Sequence, residues 1–259
     1  MSGPLVLLVL GGTGDARALA GRLAGDPRFQ ASVSLAGAVD RPEAYALPVR
    51  TGGFGGAQGL ADFLKETGVA GLVDATHPFA ARISANAVAA AVEAGVPLLR
   101  LERPPWHPSS DDDWREVDDL DAAAAVLPQG ARPFLAVGRK EISRFAGRGD
   151  LDCLMRMIDP PGQGVPLPRG RLVLARPSDD VDTEAALLES HGATHVVAKN
   201  SGGRWGAAKL AAARRLGLPV IMVRRPETGM AGAGAGERVG DVAAAMAWLE
   251  QLADKAASA

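Results

Sequence analysis

Leu5-Val6-Leu7-Leu8-Val9-Leu10-Gly11-Gly12-Thr13-Gly14-Asp15-Ala16-Arg17 is the stretch whose reading decides the fold. Six consecutive apolar residues are too few to span a membrane. They read as a strand buried on both faces, which means a parallel sheet with helices above and below it. The run then breaks into glycines, and Ala16, Leu19, Ala20 and Leu23 recur on one face of a helix. A strand, a glycine turn and a helix N-terminus bring backbone N–H groups and a positive dipole end to the tip of a sheet, a setting that binds phosphate. The plain alternative is a tight βα turn with no ligand.

The dinucleotide fingerprint asks for a third small residue, and Arg17 stands there when the count starts at Gly12. The next strand, read over residues 31–36, ends without a carboxylate; Asp40 comes only later, beside Arg41. A missing acid with Ser34 and Arg41 nearby favours a ribose 2′-phosphate, hence NADPH.

Working outward, 259 residues suffice for one large domain or two smaller ones. The chain is 47% apolar but only 4% aromatic, which fits alanine-rich helices packed closely on a sheet. A formal net charge of −2 argues against a nucleic-acid surface. The single cysteine, Cys153, excludes a disulfide framework or a cysteine metal cluster. No run is long enough to cross a membrane, and the first residues lack the basic start of a signal peptide, so a cytoplasmic protein is expected.

Further strands are read near 47–51, at 70–74 and at 96–101, with helices at about 57–67 and after Pro78, whose missing N–H costs nothing in a first helical turn. Residues 104–113, rich in proline, serine and aspartate, read as a linker. The second half repeats the first in outline. Pro133-Phe134-Leu135-Ala136-Val137-Gly138 mirrors Pro4 through Gly11. A short helix at 140–146, strands at 151–157 and 172–175, a helix at 182–191 and a strand at 195–198 follow. Gly95-Val96-Pro97-Leu98-Leu99-Arg100-Leu101-Glu102-Arg103-Pro104 aligns with Gly217-Leu218-Pro219-Val220-Ile221-Met222-Val223-Arg224-Arg225-Pro226, and the same offset lays His77 on Lys199. The reading is a duplication, with two Rossmann-like doubly wound domains at 1–105 and 106–259 and a ligand cleft between their loop-bearing rims. Residues 230–236 read as a glycine–alanine loop, and the last helix, 240–255, could pack on either half.

His77 ends a buried strand, where an imidazole can donate to a ligand or cap the following helix. Lys199-Asn200-Ser201-Gly202-Gly203 offers an ammonium, an amide, a hydroxyl and two glycines at another strand end, suited to phosphate or carboxylate. His107, His191 and His195 show no metal-ligand spacing, and no metal site is expected. Asp111-Asp112-Asp113 reads as a solvated acidic turn. Arg100, Arg103, Arg139, Arg224 and Arg225 crowd strand ends and would attract a polycarboxylate. No Gly-x-Ser-x-Gly elbow, P-loop lysine or Tyr-x-x-x-Lys pair is present.

Gly11-Gly12-Thr13 with Asp15-Ala16-Arg17, Asp74-Ala75-Thr76-His77-Pro78-Phe79-Ala80, Arg176-Pro177-Ser178 and Lys199-Asn200-Ser201-Gly202-Gly203, in this order, resemble the precorrin-6A reductases of cobalamin biosynthesis. The resemblance runs over nearly the whole chain. It implies two Rossmann-like domains and an NADPH-dependent reduction of one double bond of the precorrin-6A macrocycle to precorrin-6B. By this resemblance Gly11, Gly12, Thr13 and Ala16, with Arg17 beside them, meet the pyrophosphate, and Thr76 and His77 lie by the nicotinamide ribose or the ring. Lys199, Asn200, Ser201 and Gly202 face cofactor phosphate or substrate carboxylates. His77 or Lys199 is the candidate proton donor, with water or the substrate's own groups as alternatives.

Two segments depart from the family pattern. Asp179-Asp180-Val181-Asp182 stand where a Gly-Pro-Phe-like stretch is frequent. Gly37-Ala38 stand where relatives often carry arginine, which shifts the 2′-phosphate contact to Ser34 or Arg41. The expected partner is a tetrapyrrole, precorrin-6A or its cobalt form, with hand-off to other corrin-pathway enzymes compatible; neither nucleic acid nor membrane is expected. The rival readings are a two-domain tetrapyrrole enzyme without a nucleotide and a non-catalytic two-lobed binding protein. Replacing Gly12 with a bulky residue is expected to raise the cofactor KM steeply with the fold intact; steady-state kinetics returning an unchanged KM would remove this turn from the site.

Overall fold

In the computed structural model, residues 3–36, 43–204, 206–226 and 236–258 are described. The opening apolar run forms β1 (Leu5–Leu10), followed by α1 (Gly14–Leu23), β2 (Phe29–Leu35), β3 (Val49–Thr51), α2 (Ala57–Glu66), β4 (Gly71–Asp74), α3 (Ala81–Ala94) and β5 (Leu98–Leu101). The chain continues through β6 (Trp114–Val117), α4 (Leu120–Val126), β7 (Pro133–Ala136), a 3-10 turn at Ile142–Phe145, β8 (Cys153–Met157) and β9 (Gly170–Leu174). Next come α5 (Val181–His191), β10 (His195–Lys199), α6 (Ala208–Arg215), β11 (Val220–Val223), β12 (Glu237–Val239) and α7 (Val242–Ala257).

β1 is buried on both sides because its side chains alternate between two cores. Leu7 and Val9 pack with Leu19 and Leu23 of α1 and Met246 and Leu249 of α7. Leu8 and Leu10 pack with Leu60 and Leu64 of α2 and Ala87 and Ala90 of α3. Such a strand has no solvent face, so the hydrophobic run is unbroken rather than alternating.

Two six-stranded sheets result, ordered β12-β5-β4-β1-β2-β3 and β6-β11-β10-β7-β8-β9, and every pairing is parallel. Each follows the doubly wound order, with the strand order reversing beside its central strand. The chain divides into one unit up to Arg103 together with the residues from Pro226, and a second unit from Pro104 to Arg225.

This division corrects the assignment of 106–259 to one half. The segment after β11 returns to the first unit, where β12 pairs with β5 and α7 packs on α1 and β5. The final helix, left open by the sequence, belongs there. The repeat extends into these segments. The offset that carries Gly95 to Gly217 also carries Asp119 to Asp241. Both aspartates cap the helix that follows, Asp119 accepting from Ala122 N–H at 2.7 Å and Asp241 from Ala244 N–H at 2.8 Å. Each half of the sequence thus supplies five strands to one sheet and its sixth strand and following helix to the other.

Several expectations shift in detail. β6, α4, α6 and β12 were not read from the sequence. β6 is a sheet edge with two of its four residues exposed, so it lacks the apolar run of an inner strand. The helix expected at 140–146 is a single 3-10 turn, and α3 begins at Ala81, beyond the turn that holds Pro78. In the sheets Leu72 stands beside Leu98, but Val196 stands beside Val220, a register two residues tighter in sequence. The structural counterpart of His77 is therefore Ser201, not Lys199. The loop expected at 230–236 lies almost wholly outside the described residues.

Asp241→Ala removes the cap of the helix that covers β1. It is expected to cost about 1 kcal/mol and to lower the thermal midpoint by about 2–4 °C in calorimetry; an unchanged midpoint would show that the cap contributes nothing.

Candidate functional site

In the first unit the carboxyl ends of β1, β2, β3 and β4 converge on the glycine turn. Gly11 N–H donates to the Ser34 carbonyl at 2.9 Å, and a Cβ on Gly11 would lie 2.8 Å from Val33 Cγ1. No side chain fits there. Gly12 has φ +112°, which glycine alone adopts readily, and open space where its Cβ would be. Its N–H donates to the Tyr45 hydroxyl at 3.0 Å. Thr13 Oγ1 donates to the Ala75 carbonyl at 2.8 Å and accepts from Ala16 N–H at 3.1 Å. The Thr13 hydroxyl thus clamps the turn to the end of β4, and the Ala16 amide is committed to it. Gly14 and Asp15 open the first turn of α1, where the helix supplies their amides with no acceptor.

Charges surround this turn in pairs. Asp15 binds Arg103 at 2.7 Å, and Arg17 binds Glu43 at 2.5 Å. Ser34 is buried, and its hydroxyl accepts from Arg50 Nη1 at 3.2 Å. Arg41 lies outside the described residues, as do Gly37 and Ala38.

The Asp74–Ala80 loop rests on a buried ion cluster. Asp74 Oδ1 accepts from Thr76 N–H at 3.0 Å and from Thr76 Oγ1 at 2.7 Å. Arg100, fully buried, donates through Nη1 to Asp74 Oδ2, to Ser84 Oγ at 2.7 Å and to Thr76 Oγ1 at 3.1 Å. Glu102 lies 3.4 Å from its Nε. The cluster fixes the exit of β4, and with it His77, which is half-buried. His77 Nδ1 accepts from Phe79 N–H at 3.2 Å, so the neutral ring carries its proton on Nε2.

In the second unit Lys199 ends β10, half-buried. Burial pushes its ammonium below the ordinary lysine range, against the opposing pull of Glu141. The next residues are pinned rather than open. Asn200 Oδ1 accepts from Trp106 N–H at 2.8 Å, and its Nδ2 donates to the Trp106 carbonyl at 2.9 Å. Both ends of its side-chain amide are thus held by the Trp106 backbone, which fixes its orientation. Gly202 has φ +66°, and a Cβ there would lie 2.0 Å from the Pro104 carbonyl. The Gly203 carbonyl accepts from Trp106 Nε1 at 2.7 Å. Residues 104–106 are therefore the backing of this loop rather than a free linker.

The chain belongs to the family described as precorrin-6x reductase CbiJ/CobK. That family's pattern matches residues 6–250. The chain is 51% identical over 221 residues to a precorrin-6A reductase of Rhodobacter capsulatus, covering 85% of this chain and 88% of that one. It is 48% identical over 247 residues to one from Rhodococcus erythropolis, covering 95% and 98%. A cobalt-precorrin-6A reductase of Priestia megaterium is 31% identical over 235 residues, covering 86% and 91%. A solved CobK precorrin-6A reductase is 46% identical with a TM-score of 0.88, covering 96% of this chain and 97% of that one.

Membership in this reductase family makes the chain an oxidoreductase and implies a nicotinamide cofactor. The first unit fits such a group: Gly12 leaves room for close approach, and the first turn of α1 presents amides at the carboxyl edge of a doubly wound sheet. Among the strand-end arginines, Arg100 and Arg103 serve ion pairs, as does Arg224 with Glu116 and Asp118. Arg225 donates to the Asn200 carbonyl at 2.8 Å. Arg139 lines a cavity of about 520 Å³ in the second unit, with Lys140, Ser143 and the 162–166 loop.

Of the aspartates that depart from the family pattern, Asp180 caps α5 through the Asp182 and Thr183 amides, and Asp182 pairs with Arg215 at 2.5 Å. The preceding Ser178 N–H donates at 2.9 Å to Glu184, itself paired with buried Arg156 at 2.5 Å. Asp112, read as part of a solvated turn, pairs with Arg214 at 2.8 Å. Tyr45, Trp106 and Arg100 were not singled out as supports, because each acts on residues far away in sequence. Cys153 is buried and its thiol is pushed up to about 12, so it stays protonated. Arg100→Met would take their shared counter-charge from the buried Asp74 and Glu102 carboxylates, and a loss of about 3–5 kcal/mol is expected; a loss under about 1 kcal/mol in urea unfolding would show that the cluster relaxes.

Proposed function

We propose that this chain reduces one double bond of precorrin-6A with NADPH, giving precorrin-6B during corrin-ring synthesis. The observation that carries the reading is 48% identity to a precorrin-6A reductase across 95% of this chain and 98% of that one. The weaker identity of the cobalt-precorrin relative, 31%, favours the cobalt-free macrocycle as substrate. Bound NADPH supplies a hydride to a ring carbon, and a proton completes the reduction.

The protein's part is to hold and align. In this reading the amides of Gly14 and Asp15 take the pyrophosphate, and Gly11 and Gly12 let the backbone come close. Thr13 contributes by locking the turn rather than by its hydroxyl meeting phosphate. The Arg100 cluster holds Thr76 and His77 in place, and His77 Nε2–H donates to the nicotinamide ribose or the macrocycle. Lys199 and Ser201 serve the tetrapyrrole, where an ammonium of lowered pKa can pair with a carboxylate or pass a proton. The reaction is assigned to the cytoplasm, with substrate exchanged with other corrin-pathway enzymes. Among the described residues no helix is long and apolar enough to cross a membrane.

The test is anaerobic incubation of the protein with precorrin-6A and NADPH deuterated at the transferring carbon. Deuterium in a product richer by two hydrogens is expected, and folded protein that consumes no NADPH would overturn the reading. Lys199→Ala should lower kcat/KM by about 10- to 1000-fold; an effect under about threefold would remove Lys199 from the site. If Lys199 donates the proton, kcat/KM falls as pH rises through a midpoint below the ordinary lysine range. That alkaline limb should vanish in Lys199→Met, and its persistence would assign the proton to another group.

A further inference from the structure

Arg50 lies on β3 opposite Ser34 of β2, and Ser34 in turn lies opposite Leu10, the last residue of β1. It therefore stands two strands from the glycine turn along the same carboxyl edge. In a doubly wound nucleotide site the adenosine ribose sits at the end of the second strand, where an acid marks NAD and a nearby arginine accommodates the 2′-phosphate of NADP.

The arginine is held in one orientation. Nη1 donates to Ser34 Oγ at 3.2 Å and to the Gly52 carbonyl at 2.9 Å, and Nη2 donates to the Gly53 carbonyl at 3.1 Å. The Phe54 ring lies 3.9 Å from the guanidinium carbon and covers one face, with Phe63 at 5.3 Å. These contacts engage three of the five N–H donors that a guanidinium carries. Neutral acceptors and an aromatic face orient the group but leave its charge uncompensated. Among the described residues no carboxylate pairs with Arg50, whereas Asp15, Arg17 and Arg103 on the same edge are all paired. A half-buried, preoriented guanidinium beside a serine hydroxyl suits a phosphate dianion, which takes several donors at once.

We propose that Arg50, with Ser34 beside it, seats the 2′-phosphate of the adenosine ribose and so sets the preference for NADPH over NADH. The proposal rests on the reading that a nicotinamide nucleotide occupies the first unit, and it gives the 2′-phosphate contact to a residue the sequence did not suggest. Of the two residues the sequence suggested for this contact, Ser34 lies beside Arg50 and Arg41 lies outside the described residues.

The test compares NADPH and NADH dissociation constants for the wild-type chain, Arg50→Gln and Arg50→Lys, by nucleotide fluorescence titration. Arg50→Gln is expected to weaken NADPH by about 10- to 100-fold and NADH by less than about threefold, with Arg50→Lys in between. Equal weakening of both nucleotides would assign Arg50 to holding the Gly52–Phe54 loop and overturn the proposal. So would an NADPH preference that survives Arg50→Gln. Should Arg50→Gln not fold, competition on the wild-type chain decides: adenosine 2′,5′-bisphosphate should outcompete 5′-AMP by at least about tenfold, and equal competition overturns the proposal. Wild-type protein that binds neither dinucleotide would instead overturn the cofactor reading itself.

Discussion

Parallel pairing of β1 on both of its edges is the constraint from which the first unit follows. With β2 on one side and β4 on the other, and a helix layer on each face, all neighbouring strands must end at the same rim. Unpaired backbone groups can then be presented to solvent chiefly where strands stop, because the strand interiors are paired and largely sealed in apolar contact. The glycine turn, the Asp74–Thr76 loop, Ser34 and Arg50 share one edge for this reason. None of them is adjacent in sequence.

Holding such an edge requires polar groups that are spent on structure. Thr13 bridges the glycine turn to β4, Tyr45 receives the Gly12 amide, and Arg100 binds Asp74, Thr76 and Ser84 from beneath. The second unit meets the same need with other chemistry: Trp106 satisfies both ends of the Asn200 amide, and Arg156 with Glu184 fixes the Ser178 turn. Buried charges of this kind are costly to desolvate, so their contribution is orientation more than net stability. A loop that must present backbone to a ligand cannot depend on its own short-range contacts, and these clamps supply what it lacks.

The duplication has a consequence for how the two halves depend on each other. Each five-stranded half ends in a strand and helix that complete the other sheet, so the sixth strand of each sheet comes from the other repeat. Asp119 and Asp241 cap equivalent helices at equivalent positions, yet one lies on the second unit and one on the first. α7 covers β1 itself through Met246 and Leu249. The core of the first unit is therefore incomplete until α7 has been made.

The residues alone determined much of this protein. The apolar run at Leu5–Leu10 with its glycines specified a parallel sheet and a phosphate-type turn, since burial on both faces leaves an unmistakable uniform pattern. The repeated Gly-x-Pro strand marked the duplication, and the short motifs named the family. What tertiary structure decided was which partners the polar groups of these motifs meet within the chain. Thr13, Ala16 and Asn200 look like ligand contacts in sequence, and folding also gives each a hydrogen-bond partner within the chain. Arg50 looks like an ordinary strand residue, yet among the described residues only three of its five N–H donors are engaged. β6 and β12 escaped notice because a short edge strand buries too little to imprint a period on its residues. Their exchange between units could not be read at all, because strand order depends on contacts between segments more than a hundred residues apart in the chain.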